Sequence, residues 1–252
     1  MSRNVRVDRV IAASFAAACA ALLPPACAPA QRPSPDAQAA GDRAATEAIV
    51  EVAPGLVADR AAGEVRVIAE VACDRGWLEQ AVCKAGTREH ESLLVVEVPP
   101  SSIHAALLLV GAEPGAPGGW TQAADGAVSR TAPTGDPLSL RVRGAFGEVA
   151  LADWIEDPVS GRAFPADAWV FAGSRIRRNT PSMGPGEHYV ADRTGSVVGI
   201  VTFGDETVAF REVLPDRAEV EAPGWQARTA RLPTPGTRVE LVIRPAGRGA
   251  RP

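Results

Sequence analysis

Histidine and cysteine are scarce in this chain, with three and four copies, and two of each fall within residues 71–115. His90 sits between Glu89 and Glu91, and His104 follows near the start of a helical pattern. Two imidazoles and a carboxylate suit a zinc-type set, so His90, Glu91 and His104 are candidate metal ligands. The run H-E-S-L-L is not H-E-x-x-H, however, and its spacing matches no standard zinc motif. A histidine hydrogen-bonded at a strand end is the competing reading. Cys73 and Cys83 are the disulfide candidates if the chain is exported. In a regular hairpin of 64–73 and 77–83, Cys83 would lie far down the ladder, so bridging requires a break in the second strand. Two separate buried thiols are the alternative.

A second group is Gly173-Ser174-Arg175, followed by Arg177 and Arg178. Backbone N–H groups and guanidinium forks could hold an anion there, against the plainer reading of a solvated basic turn. His188, after a glycine- and proline-rich loop, joins Ser174 and Arg175 as a candidate. Several chemistries lack their signatures: there is no G-x-S-x-G elbow, no GxGxxG turn and no EF-hand loop. Two thiolates are too few for a four-iron cluster, and no other cofactor is indicated. The net charge of −4, without a basic stretch, argues against nucleic acid as a partner.

These residues need elements to position them. Arg3, Arg6 and Arg9 precede an apolar run from Val10 to Leu23, and Ala28-Pro29-Ala30 offers an A-x-A cleavage site. Residues 1–30 therefore read as a signal peptide, and 31–46 as a disordered spacer. Cys27 follows Ala26, but Pro24 stands where a lipoprotein signal wants leucine, so a lipid anchor at Cys27 and a cleaved soluble form both stay open. The only membrane contact expected is through such an anchor. Residues 47–245 read as one domain and 246–252 as a frayed tail. Strand signals lie at 64–73, 93–98, 138–143, 148–155 and 238–244, where Val239, Leu241 and Ile243 alternate. Residues 188–211 read as a meander. Ser101 or Ser102 caps a helix over about 102–111 that Gly111 ends. The fold expected is α+β and β-rich, with mostly antiparallel sheet and one principal helix.

The stretch VACDRGWLEQAVCKAGTREHESLLVVEVPPSSIHAALLLVGAEPG (71–115), with AWVFAGSRI (168–176) and HYVADRTGSVVGIVTFGDETVAF (188–210), resembles the YdjY-domain family of exported bacterial proteins. The resemblance covers most of 55–245. It implies a fold unit and an address at the periplasm or cell envelope, and it brings no established reaction. Two functions stand. One is a non-catalytic binding or interaction domain whose partner is an envelope protein or a small ligand. The other is a metal-binding protein or metal-dependent enzyme using His90, Glu91 and His104. Redox work by Cys73 and Cys83 ranks below both, since their spacing is not C-x-x-C.

Overall fold

A computed structural model describes residues 48–247. The leader, the spacer, Cys27 and the last five residues lie outside the described residues. The chain begins with the hairpin β1 (Ile49–Ala53) and β2 (Leu56–Asp59), then β3 (Glu64–Val71), β4 (Gln80–Lys84) and β5 (Ser92–Val96). The helix α1 (Pro100–Leu109) leads to the hairpin β6 (Gly119–Gln122) and β7 (Val128–Thr131). β8 (Pro137–Gly144) pairs with β9 (Gly147–Ala150), and the short strands β10 (Ile155–Glu156) and β11 (Trp169–Val170) follow. The hairpin β12 (Ile176–Arg178) and β13 (Glu187–Tyr189) runs into α2 (Val190–Thr194). The chain ends with β14 (Ser196–Gly199), β15 (Val208–Phe210), β16 (Gln226–Ala227) and β17 (Arg238–Pro245).

Eight of these strands close a barrel in the order β3-β17-β8-β11-β15-β14-β4-β5, and β5 returns to β3 through Glu70↔Val95 and Val71↔Leu94. The inward residues follow from alternation and register. Val65, Val67 and Ala69 stand opposite Ile243, Leu241 and Val239, and the last strand sets Leu241 and Ile243 against Val142 and Leu140. All eight of these side chains are buried. One half of the free edge of β3 carries the β1–β2 hairpin, and the other half carries the closing strand β5. α1 packs against β1, β2 and β3, burying Ile103, Ala106 and Leu107.

The expected α+β class is therefore wrong. α1 is the only helix longer than five residues among those described, and it covers part of a closed barrel instead of forming a layer. The helix itself starts at Pro100, whose missing N–H costs nothing at that position; neither Ser101 nor Ser102 is its N-cap, and Ser101 N–H donates to Asp192 Oδ1 at 2.8 Å. The supposed hairpin of β3 and β4 is also corrected, because β5 lies between them. The supposed meander fails too: β13 pairs back to β12, and β14 runs parallel to β15. Within the loose segment 113–137, β6 and β7 form an unexpected exposed hairpin.

The outside of the barrel carries an ionic lattice. Glu148 on β9 accepts from Arg141 Nε and Arg143 Nη2 at 2.7 and 2.8 Å and from Arg244 Nη1 at 3.1 Å. These guanidinium groups hold its carboxyl down at about 2. Leu241 is the sharper stability probe, since it sits fully buried between β3 and β8. Leu241→Ala is expected to lower unfolding free energy by about 2–5 kcal/mol through lost contact and a cavity. Urea titration by circular dichroism checks this, and a loss under about 1 kcal/mol would contradict the packing described.

Candidate carboxylate cleft

Trp77 follows the turn at Asp74-Arg75-Gly76 and remains 47% exposed, at the mouth of a cleft of about 390 Å³. The strand entrance that carries it is pinned from two distant segments. Leu78 N–H donates to Trp225 O at 3.0 Å, and Glu79 O accepts from Ile200 and Val201 N–H at 2.9 and 3.0 Å. Glu79 N–H donates to Glu91 O at 3.1 Å, which brings the 3₁₀ turn at Glu89–Glu91 alongside. Residues 212–225 supply the facing wall. Trp225 is held in place by Phe164 and Phe210, with ring centroids 4.7 and 6.4 Å away, and Arg162 lies over it at 4.8 Å.

The lining holds six carboxylates (Glu79, Glu91, Asp157, Glu212, Asp216 and Glu221) and one cation, Arg162. Glu79 is the most perturbed. Burial, a hydrogen bond with the Glu91 carboxyl and the charge of that group push its pKa up to about 7. Arg88 opposes this from 4.0 Å while stacking over Phe203 at 3.8 Å. Near neutral pH Glu79 is therefore poised between its protonated and ionised forms. It can release a proton to admit a cation, or hand one to a bound molecule.

The residues picked out from sequence fall in separate places. His90 is exposed beside Glu91, with Nε2 to Oε2 at 3.9 Å. His104 lies elsewhere, half-buried on α1. Its Nδ1 is 3.0 Å from Tyr189 Oη, its ring meets Phe171 edge-on at 4.8 Å, and burial lowers its pKa. Among the described residues, no group of three or more His, Cys, Asp or Glu side chains is arranged to hold a metal. His90, Glu91 and His104 are thus not assembled as ligands. Of that set, Glu91 alone lines the cleft.

Cys73 and Cys83 are free thiols, and the expected disulfide is absent from the structure. Cys73 Sγ donates to Glu89 O at 3.0 Å, while Cys83 is buried opposite Val95 and Ser196. Because β5 separates their strands, the two residues are not hairpin neighbours. Burial raises the pKa of both.

Ser174 is the only described non-glycine residue with positive φ, at 53°. Its hydroxyl donates to Asp205 O at 2.6 Å and accepts from Ala191 N–H at 3.2 Å. Ser174 is buried with its hydroxyl already engaged, so the site it serves is the backbone around it. Arg175, next in sequence, is exposed on a groove near Trp120. His188 bonds Asn179 at 3.0 Å within its own hairpin, outside either depression.

Glu79, Trp77 and Trp225 were not picked out from sequence. Trp77-Leu78-Glu79 beside Glu-His-Glu was the available signal, but the opposing wall lies more than a hundred residues away.

A family model described as the YdjY domain matches residues 56–244, and the chain belongs to that family. No curated protein and no solved structure matches it.

A pH dependence follows from two carboxyls. Glu206, almost fully buried, is likewise pushed up to about 7 by desolvation, although Phe203 and Gly204 N–H groups bond its Oε1. Both groups bind a proton more tightly in the folded state than in the unfolded chain. Their protonated forms therefore favour the fold, and that contribution falls as pH rises from about 4.5 to about 7. Glu79→Gln and Glu206→Gln are each expected to flatten this decline and to be more stable than wild type at pH about 8. Urea midpoints across that range would count against the assignment if the variants kept the wild-type slope.

Proposed function

As a member of the YdjY-domain family, we propose, this protein is exported and acts at the cell envelope as a binding domain. Its ligand carries a cationic group that enters the cleft beside Glu79 and Glu91. The leader at residues 1–30 supports export. The observation that carries the binding reading is the Glu79–Glu91 pair on the wall of a cleft with the exposed Trp77 at its mouth. A carboxyl of raised pKa, as at Glu79, binds an ammonium or guanidinium group by exchanging its proton for that charge. Trp77, 47% exposed, can add cation–π attraction. The apolar floor of Leu78, Ile200 and Leu214 suits the carbon stem of such a ligand.

The test is calorimetric titration of the purified protein with spermidine at pH about 6 and about 8. Saturable binding should be tighter at the higher pH and should release protons at the lower one, read as an enthalpy that varies with buffer. Glu79→Gln and Trp77→Ala should each weaken it roughly tenfold, about 1.4 kcal/mol. Absence of saturable binding at both pH values, or indifference to both substitutions, would remove this reading.

Export is checked separately by fractionating cells that express the full chain and weighing the mature protein. Cleavage after Ala30 and recovery outside the cytoplasm are expected. An uncut chain in the cytoplasm would refute export.

A further inference from the structure

Asp216 stands between two depressions of opposite charge. On one side is the carboxylate cleft. On the other, a groove of about 530 Å³ runs between the β6–β7 hairpin and the turn at 202–204. Apart from Asp216, its charged lining residues are Arg175 and Arg217. Neither guanidinium has a carboxylate partner among the described residues. Arg217 lies over the Trp120 ring at 5.4 Å, and Arg175 rests beside Gly204, where a Cβ would stand 3.4 Å from its Nη2. The Asp216 carboxylate accepts from Trp120 Nε1 at 3.0 Å.

The wall between the depressions is fastened. Thr202 N–H donates to Leu214 O at 2.8 Å, Leu214 N–H donates to Thr202 Oγ1 at 3.1 Å, and Thr202 bridges Pro215. The β6–β7 hairpin is tied across both sides. Trp120 holds Asp216 as above, and Arg130 Nη2 reaches Glu221 Oε2, on the acidic side, at 2.7 Å. The acidic and basic lobes therefore keep a fixed relation, with Asp216 lining both.

From this juxtaposition we infer that the ligand is dipolar: an amine or guanidinium at one end sits in the carboxylate cleft, and a carboxylate or phosphate at the other reaches Arg175 and Arg217. The inference deepens the cleft reading and rests on it. A cation alone leaves both arginines without a counter-charge, and an anion alone approaches six nearby carboxylates. A molecule carrying both charges satisfies each lobe and excludes singly charged competitors. The Trp120 face and the Thr121 side chain give the anionic end a stacking and polar surface.

The test compares three blocked tripeptides by calorimetric titration of the full chain. One carries lysine and glutamate at its ends, and the others carry only the lysine or only the glutamate, with alanine elsewhere. The dipolar peptide should bind about tenfold or more tightly than the lysine peptide, because linked contacts add. Combined Arg175→Ala and Arg217→Ala should remove that advantage and leave the lysine peptide unchanged, with thermal melting confirming that the variant is folded. If the lysine peptide binds and the dipolar one binds no better, the dipolar inference falls and the cleft reading survives. It also falls if the double variant keeps the advantage, or if the glutamate peptide binds best. If none of the three binds, both readings fall together.

Discussion

The barrel that carries the candidate site is closed by one seam of backbone hydrogen bonds, where β3 accepts β5 as a neighbour at Glu70↔Val95 and Val71↔Leu94. Without that pairing the sheet would be open, with β5 left as an edge strand held only by β4. The entrance to β4 at Trp77–Glu79 is held separately against residues 200–201 and 225. Barrel closure leaves β3 with neighbours on both edges and satisfies its backbone donors and acceptors, which an open edge would leave to solvent or to another chain. The same strand also carries the β1–β2 hairpin, so its first and second halves serve different neighbours. That division creates the place where α1 packs, and it explains why a single helix suffices.

Charge is handled in opposite ways at two glutamates. Glu148 lies on the outer face among three arginines at hydrogen-bonding distance, and its carboxyl is held at about 2. Glu79 has one arginine at 4.0 Å and a second carboxyl at its side, in a partly buried cleft, and rises to about 7. The residue type is the same, so the difference comes from desolvation and from the sign and distance of the neighbours. The outer lattice serves stability, since its charges are matched. The cleft leaves carboxyls unmatched near neutrality, which is the condition under which a ligand's charge alters the energy most.

Local features of this fold were legible in the sequence, and its closure was not. The alternation of Val239, Leu241 and Ile243 announced β17, and Gly111 marked the end of α1 closely, while its start lies at Pro100 and not after a cap at Ser101 or Ser102. The pairing of β8 with β9 around residues 144–147 was likewise local. Strand order was hidden because hydrophobic alternation says which face is buried and nothing about which edge bonds to which. The β14–β15 segment read as a meander because its turn residues are hairpin-like, yet the chain from 200 to 207 loops back so that the strands run parallel. At the site, His104 attracted notice by type, but its setting against Phe171 and Tyr189 is that of a packed, hydrogen-bonded imidazole. Glu79 did not stand out, because one glutamate in a short apolar run acquires a raised pKa only from neighbours brought in by the fold.

Ser174 shows how backbone strain can serve a neighbour. A left-handed conformation costs a non-glycine residue roughly 1–3 kcal/mol, so it persists only where surrounding bonds overdetermine it. Here Ser174 N–H donates to Glu206 O at 2.9 Å, while the hydroxyl joins Asp205 O to Ala191 N–H. Gly173 N–H donates to Thr207 O at 2.9 Å, and Tyr189 Oη lies 3.1 Å from Thr207 Oγ1. These bonds turn the chain sharply out of the buried run Phe171–Ser174 and deliver Arg175 beside Gly204. The small, polar serine is what allows one position to bond two distant segments at once. The strain is thus tied to the placement of the first exposed guanidinium after β11, on the groove that neighbours the carboxylate cleft.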